Sequence, residues 1–512
     1  MIDNLMLGIQ TAFHWENFIY SFFGVVLGNL IGVLPGIGAL AAISMLLPIT
    51  YGLSPVGALM MLAGLYYGTS FGGATTSILL NLPGTAQHAV VCVDGNPLAK
   101  KGRGGSAIFM VMVASFVGVC IGIILMAIFS PLLTDVAFMF GAEEYFSLML
   151  LGLLAASALT SGSAVKGIAS VAIGIILGLV GTDVMTGVAR FDFGLAQLQD
   201  GFSLVVLAMG LFGIADVFKH AGSIGEGTLI TKSGIGARSV RPDKGEVRQS
   251  VGPIIRGSGI GAALGILPGT GGTIASFMSY AYEKKTSKEP GRFGHGAIEG
   301  VSGPEAANSS AAITAFIPTL TLGIPGDAVM ALMLGALMIH DITPGPEIMV
   351  GHPELFWGLI VSFWIGNLLL LVMNIPLIKL WVKLLTVPYR IIFPIVLLLI
   401  SVGVYSTNND IIEVAFVLGI GVFGYIITWL GFQAAPLLLG YVLGPMIEEH
   451  FRRSVLMSRG DMMTFFTHPI SGVFMGFSIL LLLGVAYKSA KRYFSDKENK
   501  RLVKTGPQKT LN

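Results

Sequence analysis

Four proline–glycine steps interrupt otherwise apolar stretches of this chain, and polar residues gather around each. Residues 32–38 read G-V-L-P-G-I-G and residues 265–271 read G-I-L-P-G-T-G. Residues 81–85 read N-L-P-G-T and residues 323–327 read G-I-P-G-D. Proline has no N–H to donate and clashes with the preceding turn, so it breaks a helix. The adjoining glycine permits the left-handed backbone that reverses the chain. In lipid every freed backbone group is costly, so such a break survives only inside protein or beside a watery cavity. Broken helices present N–H groups that attract anions such as carboxylates, and carbonyls that attract cations. One geometry thus supplies both a substrate site and a coupling-ion site.

The side chains flanking the breaks are the candidate ligands. Thr76, Asn81, Gly84 and Thr85 in the first half, and Asn308, Ser309, Gly326 and Asp327 in the second, are expected to bind substrate. Asn81 and Thr85 can donate hydrogen bonds to a carboxylate. Gly36, Gly38, Gly269, Thr270 and Gly271 shape two re-entrant tips. Their carbonyls, with Glu305, are expected to hold the coupling cation, Na+ or H+, since hard cations take oxygen ligands. Glu305 keeps three readings: cation ligand, helix cap or proton acceptor. Any single Ser or Thr can instead bond back to its own helix. His88 follows a break and reads as structural first, substrate contact second. The eight histidines show no ligand spacing, so no metal beyond a Na+ and no other cofactor is expected. Arg190 and Asp192 read as interfacial contacts, Arg190 with a lesser role as carboxylate partner.

The elements that must position these residues are membrane spans. Of 512 residues, 54% are hydrophobic and 11% charged, which excludes a soluble domain array and a disordered chain. The net charge of +2 points to no nucleic acid partner. Two cysteines make no disulfide framework. Residues 17–93, 104–134, 145–165, 167–182, 201–215, 257–282, 306–326, 355–378, 391–409, 414–447 and 462–487 lack Asp, Glu, Lys and Arg. At about 20 residues per crossing, these windows predict roughly ten to fourteen segments, some half-length. Asp3 and Glu16 stand where a signal peptide would be basic, so the first span is expected to serve as its own targeting signal. Basic residues between 219 and 256 and after 487 read as cytoplasmic. Arg452, Arg453 and Arg459 are also basic but one span from the tail, so either they lie on the other side or a segment re-enters.

The chain also repeats itself. Pro35 and Pro268 are 233 residues apart, Pro83 and Pro325 are 242 apart, and D-G-N-P at 94–97 is echoed by D-I-T-P at 341–344. Like motifs in like order predict an internal duplication. The expected organisation is a first repeat over 1–197, a junction over 198–252, a second repeat over 253–490 and a polar tail over 491–512.

These motifs, with G-T-S-F-G-G-A-T-T-S-I-L-L-N-L-P-G-T at 68–85, D-G-N-P-L-A-K-K-G at 94–102, G-P-E-A-A-N at 303–308, P-T-L-T-L-G-I-P-G at 318–326 and T-P-G-P at 343–346, resemble one family. It is the large membrane subunit of the bacterial tripartite tricarboxylate transporters, and the resemblance runs over roughly residues 1–490. Two positions depart from the family's pattern: Ser309 stands where a second asparagine is expected, and Asp327 where a small hydroxyl residue is. The resemblance implies uptake of an organic carboxylate such as citrate, driven by a cation gradient across the bacterial inner membrane. It also implies two partners, a small membrane subunit and a periplasmic solute-binding protein. The expected fold is an all-α polytopic membrane protein of two homologous, inverted repeats with re-entrant hairpins and broken helices, elevator-like. A passive anion channel and an intramembrane enzyme are the competing classes. The T-S-G-S run at 160–163 has no histidine in its own span, which disfavours the enzyme.

Overall fold

The computed structural model describes residues 2–34, 38–159, 163–183, 185–221, 242–267, 269–384 and 389–505. First come α1 (Ile2–Ala12), α2 (Trp15–Val33), α3 (Ala39–Leu46), α4 (Pro55–Leu80), α5 (Ala89–Leu98), α6 (Gly104–Ala137), α7 (Ala142–Leu159), α8 (Ala164–Gly178), α9 (Leu204–Ala208) and α10 (Ala215–Ala221). Next come α11 (Lys244–Gly265), α12 (Gly271–Thr286), α13 (Glu299–Thr314), α14 (Phe316–Leu322), α15 (Ala328–Ile339) and α16 (Glu347–Gly351). The last are α17 (Pro353–Leu384), α18 (Tyr389–Asn408), α19 (Ile411–Trp429), α20 (Ala434–Met457), α21 (Thr464–Thr467) and α22 (Pro469–Thr505). The described residues contain one small antiparallel hairpin, β1 (Gly181–Thr182) with β2 (Ala189–Arg190).

This is an all-α membrane protein. Among the described residues five helical stretches are long and apolar enough to cross a bilayer: Trp15–Val33, Ala86–Ala137, Pro353–Asn374, Ile411–Trp429 and Pro469–Lys491. Four shorter apolar helices stand beside them among the described residues, Ala39–Gly52, Ala164–Gly178, Ala328–Ile339 and Pro394–Thr407, the kind of half-length segment expected where breaks cut a charge-free window. The window 17–93 holds α2, α3, α4 and the start of α5, and α3 alone has only 8 residues.

Two helix pairs carry the inner packing, α2 on α4 and α11 on α13. Without a hydrophobic drive between helices in lipid, small residues that allow close backbone approach must supply the contact. Gly24, Gly28 and Gly32 of α2 press on the carbonyls of Met61, Leu65 and Thr69. Gly257, Gly261 and Gly265 of α11 press in the same way on those of Gly303, Ala307 and Ala311. A methyl at any of the six would overlap the facing carbonyl oxygen. The two glycine sets are displaced by 233 residues and the two carbonyl sets by 242.

Helix α6 relates the two ends of the molecule. Its 34 residues span about 51 Å at 1.5 Å per residue. At its start, Arg103 pairs with Glu246, Ser106 donates to Glu246 at 2.6 Å, and Lys101 reaches the His295 carbonyl at 2.7 Å. At its finish, Ala137 and Phe138 share a cavity of about 610 Å³ with residues 341–347 and with Met446, Glu449, His450 and Arg453. The arginine turn left open by the sequence lies with this second end. Helix α22 begins there, its Ser471 bonded to Ser147 at 2.7 Å, and runs unbroken to Thr505. The arginines and the tail therefore stand at opposite ends of one helix. Nor is the turn freely positive: Arg452 pairs with Asp183 at 2.8 Å and with Glu448, and Arg453 pairs with Glu449. The Met185 N–H and the Arg452 guanidinium hold the Asp183 carboxyl well below the usual carboxylate range.

Candidate functional site

The two breaks that lie within the described residues are built alike. Helix α4 ends at Asn81 in the left-handed region (φ 57), and Leu82, Pro83 and Gly84 follow. Gly84 lies hard against Gly73, which leaves no room for a side chain. Thr85 then reaches three residues on, its hydroxyl 2.7 Å from His88 Nδ1. In the second half α14 ends at Gly323, also left-handed (φ 67), before Ile324, Pro325 and Gly326. Asp327 caps α15, its Oδ1 accepting the Met330 N–H at 2.9 Å. The glycine-rich tip before α12 docks on this break: the Gly269 N–H donates to the Gly326 carbonyl at 2.7 Å, and Gly271 packs beside Asp327.

Between the breaks the halves meet in a buried polar cluster. Glu305 and His88 are wholly buried, with Nε2 3.7 Å from Oε2. Glu305 Oε1 accepts the Ser115 hydroxyl at 2.7 Å. Asn308, one turn beyond Glu305 on α13, donates to Ser70 at 3.0 Å and lies 3.5 Å from His88 Nε2. Gln87 also reaches Ser70, at 3.4 Å. The amide oxygens of Asn308 and Gln87 crowd Gly272, in the first turn of α12. One turn before Ser70, Tyr66 reaches Asp327 Oδ2 at 3.5 Å. Residues from α4, α6, α12, α13 and the two breaks thus converge, although they are scattered through 262 residues of chain between Tyr66 and Asp327.

Several expected ligands are brought here and others are not. Asn308, Gly326 and Asp327 lie at the convergence, and Ser309 is buried beside Asn308. Thr85 contacts the cluster through His88. The Thr76 hydroxyl donates to the Val33 carbonyl at 2.8 Å, clasping α4 to the end of α2. Asn81 is exposed and terminates α4 by its backbone state. The polar contacts of Glu305 go to Ser115 and His88, while the Thr270 hydroxyl turns back to the Leu267 carbonyl at 2.8 Å. Gly36 lies outside the described residues, as do Pro35, Pro268 and residues 160–162; Gly38 is the N-cap of α3. The cavity of about 610 Å³ touches the second break at Leu322.

Sequence reasoning underrates His88, reaches Ser70 only as one of the polar residues of its charge-free window, and leaves Tyr66, Gln87 and Ser115 unassigned. Ser70 and Tyr66 carried a usable signal, being one helical turn apart in a charge-free window. His468 also gains partners the spacing hid. It lies 2.9 Å from Glu143 and 3.6 Å from Glu144, and the three offer ligand atoms within 4.8 Å of one another. Glu144 in turn accepts the Gly141 N–H at 2.8 Å, so this group serves to clasp the start of α22 to the start of α7. Arg190 forms an ion pair with Glu448 at 2.8 Å.

An all-α membrane fold whose broken helices join at a buried polar cluster is the architecture of a transporter. The chain belongs to the Tripartite tricarboxylate transporter TctA family, whose model matches residues 18–439. It is 48% identical over 486 residues to an uncharacterised 52.8 kDa protein in the TAR-I ttuC' 3' region of Agrobacterium vitis, covering 95% of each chain. It is 53% identical over 223 residues to an uncharacterised protein in the TAR-II ttuC' 3' region of the same organism, covering 44% of this chain and 92% of the relative. No solved structure matches. The protein is thus a transporter component of the tripartite tricarboxylate type, not an enzyme.

Proposed function

We propose that this chain is the large, multi-pass subunit of a bacterial inner-membrane system for secondary active uptake of an organic carboxylate. A cation gradient drives the uptake, a periplasmic solute-binding protein delivers the substrate, and a small membrane subunit completes the transporter. The observation that carries this reading is the cross-half cluster at the breaks. Asn308 from one half meets Ser70 and His88 from the other, and Asp327 meets Tyr66. The substrate carboxylate binds at the N-terminus of α12, where free N–H groups adjoin Gly272 and the Asn308 and Gln87 amides.

The two halves act as inverted repeats that exchange roles as the carrier rocks in an elevator-like cycle. Three observations support this. The glycine ladders repeat with the offsets of the motifs, 233 and 242 residues. The second offset relates Tyr66 to Asn308 and Thr85 to Asp327, and all four residues lie at the breaks or in the cross-half cluster. Finally, α5 leads to the Lys101 end of α6, whereas α15 leads to the cavity at the Ala137 end, so matching breaks run in opposite directions. A passive channel would need a continuous polar lining.

The test is uptake of radiolabelled citrate and related carboxylates into proteoliposomes holding both membrane subunits and loaded with binding protein outside. Accumulation above equilibrium under a Na+ or pH gradient is the expected result. Uptake that stops at equilibrium makes the protein a channel, and no uptake of any carboxylate overturns the reading.

A further inference from the structure

Resting on the transport reading above, we propose that Glu305 and His88 form one proton-carrying unit and that a proton on this pair is what permits the carrier to occlude. The pair is wholly buried, yet Glu305 Oε2 has no hydrogen-bond partner and faces only His88 Nε2, 3.7 Å away. The other carboxylate oxygen is satisfied by Ser115, and the other imidazole nitrogen by Thr85. A neutral imidazole can place its one N–H on the line between Nε2 and Oε2, with the Thr85 hydroxyl donating to Nδ1, but the carboxylate then keeps its charge.

Among the described residues no cation pairs with that charge. From α4 come Ser70 and Tyr66, the latter turned to Asp327. From α5 comes Asp94, held by the N–H groups of Gly294, Gly296 and Ala297 and by the Tyr280 hydroxyl of α12. Glu283 of α12 is bound by Arg256 of α11, and Glu246 of α11 by Arg103 and Ser106. No Lys or Arg among the described residues pairs with Glu305 or His88.

An isolated carboxylate in an apolar interior is strongly disfavoured. With one proton the pair avoids that state, either as a neutral acid beside a neutral imidazole or as a carboxylate beside an imidazolium. The proton belongs to the pair rather than to one residue. Without it the closed cluster must keep a lone negative charge, a state that is tolerable only when water reaches Oε2. Protonation and closure are therefore linked, and linkage between a bound ion and a conformational step is what coupling requires. The proton arrives from water in the open state and returns to water when the carrier opens on the other side, so charge and atoms balance. Substrate joins the same step at Asn308, whose Oδ1, likewise buried without a partner beside Gly272 of α12, can accept a hydrogen bond from a substrate hydroxyl.

The experiment is pH-difference infrared spectroscopy of the purified full chain in lipid. Glu305→Gln should remove one titrating protonated-carboxyl band from the wild-type spectrum while those of Asp327 and the other acids remain, and His88→Asn should move the midpoint of the band so assigned. A spectrum that loses no band in Glu305→Gln overturns the proposal. Should Glu305→Gln fail to fold, His88→Asn decides: a carboxyl band with a shifted midpoint supports the pair, and no shift in any band overturns it. In proteoliposomes, accumulation of citrate under a pH gradient alone should fall to the equilibrium level in Glu305→Gln, and full accumulation in that variant also overturns it. If wild type carries no carboxylate at all, the transport reading fails while the infrared result still reports on the pair.

Discussion

Asn81 and Gly323 hold the same left-handed backbone state, each two residues before the proline of a break. Only small or locally hydrogen-bonding residues adopt that state cheaply, and a β-branched side chain there is strained by about 1–3 kcal/mol. Asn81 is exposed and closes α4 by its backbone state. Asn81→Gly should therefore keep carboxylate uptake close to wild type, whereas Asn81→Val should lower both uptake and melting temperature. Loss of uptake in the glycine variant with unchanged melting would restore a ligand role for the amide. Asn81 was legible as a residue at a break, but its role was not, because a side chain's direction depends on where the helix stops. Glu305 is the converse case. Its acidity in an apolar neighbourhood was visible, but its partners are 190 residues away at Ser115 and 217 away at His88.

At the scale of elements, the α11–α13 contact depends on glycines whose Cα hydrogens face carbonyl oxygens. Overpacking such a contact costs typically about 1–3 kcal/mol. Gly261→Ala should lower the melting temperature of the purified protein. Gly259→Ala, two residues along the same helix where nothing lies within 4 Å, should leave it unchanged or raise it, since alanine favours a helix by about 1 kcal/mol over glycine. Equal melting of the two variants would remove the close approach as the basis of the pairing. The glycine spacing of four was readable from the chain, and so was the place of each break. Which helix each ladder would meet was not, because any membrane helix with a small-residue stripe can accept another.

For the whole molecule, the proposed inversion has a direct topological consequence. Residues near Lys101 and His295 share one end of α6 with the basic stretch, and residues 341–347 share the other with the arginine turn. Basic segments face the cytoplasm. With Cys92 and Cys120 replaced, a cysteine placed at Val350, which is 70% exposed, should react with an impermeant maleimide added outside cells. A cysteine placed at the exposed Lys288 should react only after permeabilisation. Labelling of both from the same side would contradict the inversion.

Hydropathy and the chemistry of proline and glycine act over a few neighbouring residues. For that reason the chain alone determined a membrane protein, the four interruptions and the family it belongs to. Partner choice is different in kind, since it follows from how helices far apart in sequence cross. Only the tertiary structure decided that the Thr76 hydroxyl is spent on Val33, that the arginine turn lies at the end opposite the tail, and that Glu305 finds a histidine rather than a glycine tip. A buried polar atom must find its partner in space, and local sequence has no means of naming it.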